Sequence, residues 1–202
     1  IADPSCGTGG FFLAAYDFIV ANHNLDRDQK QFIKFNTFYG NEIVAGTRRL
    51  ALMNLFLHGI EDFQVVRGDT LAHPGFLEGD RLRQFDVVLA NPPYSIKQWD
   101  RKAWESDPYG RTFLGVPKQG RADYAFFQHI LASLKPKTGR CAILFPHGVL
   151  FRQEEADMRR KLVEADASSF RIPACDVVVL DPPRTGARTA CDAIASARVR
   201  RV

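Results

Sequence analysis

Gly7, Gly9 and Gly10, three glycines within four positions, separate Asp3-Pro4-Ser5-Cys6 from the apolar run Phe11-Phe12-Leu13-Ala14-Ala15. Glycine lets a backbone turn tightly and lets a ligand come close to it. The apolar run reads as the start of a helix. A Gly-rich turn from strand to helix is the usual nucleotide-binding crevice of an open α/β sheet. This turn has neither the spacing of the dinucleotide fingerprint nor the lysine of a phosphate-binding loop. The ligand it suits is therefore not gripped by its phosphates.

The rest of the chain keeps to the same plan. Gly10 to about His23 reads as a helix, with Phe12, Ala15 and Ile19 toward a sheet. A polar stretch follows from Asn24 to Lys30. Phe35 to Glu42 reads as a strand, Val44 to His58 as a helix and Phe63 to Arg67 as a short strand ending at Gly68-Asp69. Phe85 to Ala90 is apolar apart from Asp86 and reads as a central strand buried on both faces. Residues 95–120 show little periodicity and read as a long loop with one short helix. Asp123 to Leu134 is expected as a helix, Arg140 to Phe145 as a strand and Gln153 to Ala165 as a charged amphipathic helix. Strands alternating with helices predict an α/β, Rossmann-like fold, an open and mostly parallel sheet with helices on both faces. Only Ile1 and Ala2 precede Asp3, so the first strand is expected to be cut.

A chain of 202 residues suffices for one domain with a substantial core. No apolar stretch approaches the roughly eighteen residues of a membrane span, so no membrane association is expected. The four cysteines, Cys6, Cys141, Cys175 and Cys191, are far apart and form no C-x-x-C pair. That argues against a zinc site or a disulfide framework and fits a reducing, cytoplasmic setting. The net charge of +4 permits contact with nucleic acid without requiring it.

The second informative motif is Asn91-Pro92-Pro93-Tyr94, at the end of the Phe85–Ala90 strand. Asn offers a carbonyl oxygen as acceptor. The prolines stiffen the turn and leave their own carbonyls free. Tyr offers a face on which a base can stack. Such a loop suits a planar amino group held at the open edge of a sheet. Read alone, it is also a strand followed by a Pro-rich turn.

With both motifs in place, the chain resembles S-adenosylmethionine-dependent amino-methyltransferases. More narrowly, it resembles the modification (M) subunit of type I restriction–modification systems, which methylate adenine N6 in DNA. The resemblance is carried by Asp3 to Leu13, Tyr39 to Ile43, Leu50 to Gly59, Gly68 to Leu71, Asn91 to Ser95, Ala122 to Phe127 and Gly139 to Arg152, over roughly residues 1–165. It implies a class I S-adenosylmethionine-dependent methyltransferase fold, with a catalytic core over 1–166 and an atypical tail over 167–202. It implies DNA as substrate, with a specificity subunit and a restriction subunit as partners and no metal. Asn91, Pro92, Pro93 and Tyr94 are the expected catalytic loop. Asp3, Cys6, Gly7, Thr8, Gly9 and Gly10 form the expected cofactor turn, with Asp3 the expected partner of the methionine ammonium and helix capping its alternative. Glu42 reads as a partner of the ribose hydroxyls or as a solvent-facing strand end. Asp69 reads as a partner of the cofactor's adenine amino group or as a turn former.

Two other features are ambiguous. Trp99, Trp104 and Tyr109 interleave with Lys97, Arg101, Lys102 and Arg111, which suits either a nucleic-acid contact or a loop packing its own aromatics. His147 reads as a surface residue rather than a general base. The tail departs from the family. Asp181-Pro182-Pro183-Arg184-Thr185-Gly186 resembles RNA 5-methyluridine methyltransferases, but no cysteine stands where that chemistry needs its nucleophile. The alternatives to DNA adenine methylation are another planar amino group (a release-factor glutamine or an RNA base), uridine C5 methylation, and an inactive fragment.

Overall fold

The computed structural model describes residues 1–94 and 96–167; the tail motif at 172–202 lies outside them. Seven strands and six α-helices follow in order: β1 (Ala2–Asp3), α1 (Gly10–Asn22), α2 (Arg27–Asn36), β2 (Tyr39–Glu42), α3 (Ala45–Leu57), β3 (Gln64–Arg67), β4 (Leu77–Glu78), β5 (Arg81–Leu82), β6 (Val87–Ala90), α4 (Arg101–Glu105), α5 (Asp123–Ala132), β7 (Arg140–Ile143) and α6 (Ala156–Ala167).

Five strands form one sheet in the order β3-β2-β1-β6-β7, and every pairing in it is parallel. The register sets Ala2 beside Tyr39 on one side and beside Val88 on the other. From β1 the chain winds outward through β2 and β3, then returns to place β6 and β7 on the opposite flank. The order therefore reverses between β1 and β6. In open parallel sheets the crevice lies at that reversal, outside the carboxyl ends of the strands.

Two apolar clusters back the sheet. Phe12 of α1, Ile33 of α2, and Ala51 and Leu55 of α3 pack with Val65 of β3. Phe127, Ile130 and Leu131 of α5 and Met158 of α6 pack with Val88, Ala90 and Ile143. The expected helix and strand positions hold to within a few residues, with two omissions. Helix α2 occupies part of the stretch read as polar linker and strand. Its capping box is visible in the sequence: Asp26 accepts from the Gln29 backbone N–H (2.8 Å) while the Gln29 side chain accepts from the Asp26 N–H (3.1 Å). The antiparallel β4–β5 hairpin was also unforeseen. Its strands are too short to leave a periodic signal.

Gly40 shows how tightly β2 lies under the Gly turn. A Cβ there would stand 2.8 Å from Cys6 Sγ and 2.9 Å from the Phe12 ring. Gly40→Ala is expected to cost about 1–3 kcal/mol, seen as a lower denaturant midpoint at unchanged slope.

Candidate functional site

The chain ends of β1, β2, β3 and β6 open at one edge of the sheet, and the segments that leave them enclose a cleft of about 360 Å³. Pro4 and Ser5 come from the turn after β1, and Glu42, Ile43 and Val44 from the end of β2. Gly68 to Leu71 follow β3, and Asn91 and Pro93 follow β6. Asn41, Ile96, Gln98, Trp99 and Phe126 complete the lining. The volume falls in the range of small-molecule sites, roughly 300–1,000 Å³. A roomier depression of about 540 Å³ lies by the β4–β5 hairpin, but it carries none of the motif residues.

The Gly turn is built locally. Gly7 and Gly9 have left-handed backbones (φ +55° and +82°), which favour glycine. The Cys6 N–H donates to the Asn41 carbonyl (3.0 Å), and the Gly9 N–H returns to the Cys6 carbonyl (2.8 Å). Gly10 has neither constraint: its φ is ordinary and a Cβ would meet nothing within 4 Å. The protein's own packing does not require glycine there.

Glu42 reaches across to this turn. Its Oε2 accepts from the Gly7 N–H (3.1 Å) and its Oε1 from the Val44 N–H (2.7 Å). Asp69 accepts from the Leu71 and Ala72 N–H groups through Oδ1 (2.9 and 3.3 Å), so it is a turn former as well as a cleft residue. Asn91 is exposed, and its Oδ1 accepts from the Tyr94 hydroxyl at 3.0 Å. Pro92 is buried, and Tyr94 is 40% exposed. Glu42, Asp69, Asn91 and Pro93 thus line the cleft. Cys6 to Gly10, Pro92 and Tyr94 do not line it.

Asp3 is set deeper. It is 2% exposed and accepts from the Ser5 N–H (2.9 Å) and hydroxyl (3.5 Å). Together with Asn41, Thr70, His129 and Ser133 it lines a small internal cavity of about 20 Å³. Burial pushes its carboxyl up to about 7, and the nearby Glu42 charge adds to the rise. His129, buried in the same region beside Arg111, is pushed down to about 3 by burial and is neutral.

Three side chains outside the expected set hold the cleft in shape. The Asn41 amide donates to the Gly68 carbonyl (3.1 Å) and to Thr70 Oγ1. The Thr70 hydroxyl donates to the Pro4 carbonyl. The ends of β2, β3 and β1 are tied together in this way. Arg111 lies almost wholly inside, paired with Asp107 (2.6 Å), and donates to the Thr70 and Leu71 carbonyls (both 2.9 Å). Trp104 covers the guanidinium at 4.2 Å. Much of the aromatic and basic composition of the 95–120 segment is therefore an internal clamp. His147 stacks on Phe151 (4.7 Å) and does not line the cleft. Among the described residues, no group of three His, Cys, Asp or Glu side chains could hold a metal ion, and no helix is long and apolar enough to cross a membrane.

A parallel sheet with a cleft at its strand reversal, carboxylates from two strand ends and an exposed amide on a third, is the arrangement of an open, doubly wound α/β fold. Comparison with known proteins narrows the class. Residues 1–172 match the N-6 DNA Methylase family, and the chain belongs to it. It is 30% identical over 190 residues to the type I restriction enzyme HindI methylase subunit of Haemophilus influenzae, covering 87% of this chain and 40% of that one. It is 34% identical over 174 residues to the type I restriction enzyme EcoKI methylase subunit of Escherichia coli, covering 81% and 30%. The type I restriction-modification methyltransferase subunit from Streptococcus thermophilus superposes with a TM-score of 0.66 at 32% identity, over 82% of this chain and 33% of that one. The fold is that of these subunits, and the chain spans less than half the length of each.

The Asp3 carboxyl gives a pH signature. It ionises near 3.8 when unfolded and near 7 when folded, so its contribution to stability is full below about pH 4 and lost as pH rises through about 7. Asp3→Asn, which stays neutral, is expected to melt with the wild type at about pH 4 and above it at about pH 8. Thermal melts across that range check the sign.

Proposed function

We propose that this chain is the catalytic core of a DNA adenine-N6 methyltransferase, acting as part of a type I modification subunit. The core spans residues 1–166. The observation that carries this reading is the single cleft shared by Glu42, Asp69, Asn91 and Pro93. The family assignment favours an exocyclic amine over uridine C5, and the type I relatives favour DNA over a glutamine amide.

Adenine N6 is a poor nucleophile because its lone pair is delocalised into the ring. In this reading the Asn91 side-chain oxygen and the Pro92 backbone carbonyl accept the two amino hydrogens. As the nitrogen becomes tetrahedral and positive, those dipoles stabilise it more than they stabilise the planar amine. Without a base, the Tyr94 hydroxyl fills the same acceptor on Asn91. Base entry exchanges one donor for another at that oxygen. A base within a duplex does not reach this loop, so it must be extruded first.

S-adenosylmethionine supplies an electrophilic sulfonium methyl when bound. Glu42 and Asp69, on the cleft wall, fit such a group, while Asp3 lines the separate small cavity. Glu42 would take the ribose hydroxyls, Asp69 the adenine amino group and Asp3 the ammonium. Cys6, Gly7, Thr8, Gly9 and Gly10 would form the turn over which it lies, and the open space above Gly10 is consistent with that. A cation beside Asp3 would favour the ionised carboxylate over the neutral one. The specificity and restriction subunits of type I systems are the expected partners, with DNA as substrate.

Radiolabelled methyl transfer to unmethylated DNA tests the assignment. Asn91→Ala is expected to lower kcat by roughly 10²–10³ while S-adenosylmethionine binding, read by calorimetry, persists. Equal rates in the two proteins would refute the role of Asn91. Tyr94→Phe keeps the ring and removes the competing hydroxyl, so its rate is expected to match or exceed the wild type, whereas Tyr94→Ala falls.

A further inference from the structure

Trp99 lines the cleft beside Asn91 and Pro93, and nothing in the chemistry above uses it. It is half-buried, and it is held from behind. Its carbonyl accepts from the Arg101 N–H (2.8 Å) and the Gln119 amide (3.3 Å). Its indole meets Trp104 edge to face, with centroids 6.0 Å apart and planes at 75°. Trp104 is buried and lies on the Arg111 guanidinium. Arg111 in turn grips the carbonyls of Thr70 and Leu71, which line the cleft themselves. The contacts thus run from the cleft through Trp99, Trp104 and Arg111 and back to the cleft. Leu71, Ile96 and Phe126 of the same apolar cluster extend the wall.

A large aromatic side chain already fixed in place loses little freedom when a ligand arrives. Its face suits a flat heteroaromatic ring, which stacks without needing a matched hydrogen-bond pattern. The carboxylates of the cleft, Glu42 and Asp69, offer acceptors to amino and hydroxyl groups but no face. Trp99 is the cleft's largest aromatic surface. Trp104 does not line the cleft and serves as its support.

We propose that Trp99 is a purine-contact residue, a platform for an adenine ring held rigid by Trp104 and Arg111. This rests on the reading that the cleft takes a cofactor and an extruded base, both of which carry adenine.

Acrylamide quenching tests the proposal without a substitution. The chain has two tryptophans and Trp104 is 2% exposed, so the quenchable emission comes from Trp99. Protection on saturation with S-adenosylhomocysteine supports the platform and assigns it to the cofactor's adenine. Protection by unmodified adenine-containing duplex DNA, but not by an adenine-free duplex, supports it and assigns it to the extruded base. Equal protection by the adenine-free duplex alone overturns it. No protection by either ligand, while calorimetry shows S-adenosylhomocysteine bound, overturns the role of Trp99 and leaves the proposed function standing. No calorimetric binding at all removes both. As a second arm, Trp99→Leu is expected to weaken the protecting ligand roughly tenfold or more and Trp99→Phe much less, in proteins with unchanged melts. Equal affinity in all three proteins overturns the assignment.

Discussion

The reversal of strand order between β1 and β6 is the constraint from which the site follows. These strands lie side by side and parallel, with Ala2 beside Val88. The chain leaves β1 toward α1 and β2, and leaves β6 toward the opposite flank. The Gly turn and the Asn-Pro-Pro-Tyr loop must therefore diverge from neighbouring strand ends, and a crevice opens between them. Neither motif makes a site alone. Adjacent strands bring them together, although they are far apart in sequence.

An open strand edge leaves backbone groups that need partners. Here they are met by a small number of buried polar side chains. Asn41 and Thr70 tie the exits of β1, β2 and β3. Arg111 satisfies the carbonyls of Thr70 and Leu71 and anchors the long 95–120 segment on them. On the far flank, Arg152 pairs with the buried carboxylates of Asp123 and Glu155 and braces the segment after β7 against α5. Removing one member of such a buried set leaves an uncompensated charge. The cleft's shape therefore depends on Arg111, which does not line it, as well as on Asn41 and Thr70, which do.

The fold was legible because its elements carry local signals. The apolar run of β6, the helical spacing of α1 and α3 and the glycines of the turn each determine their conformation within a few residues. Helix α2 was missed although its Asp26–Gln29 box was present, because the polar stretch around it obscured the helical pattern. The site was legible only in part. Asn91, Glu42 and Asp69 stand at strand ends, where a sequence can place them. The burial of Asp3, the hydroxyl of Tyr94 on the Asn91 oxygen, and the ties made by Asn41 and Thr70 arise from packing between distant segments. The Trp99–Arg111 stretch is the sharpest case. Its composition suits a nucleic-acid contact as well as an internal clamp, and only burial separates Trp104 and Arg111, which are interior, from Trp99, which faces the cleft.

A crystal structure of the chain with S-adenosylhomocysteine tests the shared cleft most directly. The account predicts the adenosyl group between Glu42, Asp69 and Trp99, with the sulfur directed toward the Asn91 amide. A ligand seated elsewhere, such as the depression beside the β4–β5 hairpin, or one whose sulfur points away from Asn91, would contradict it.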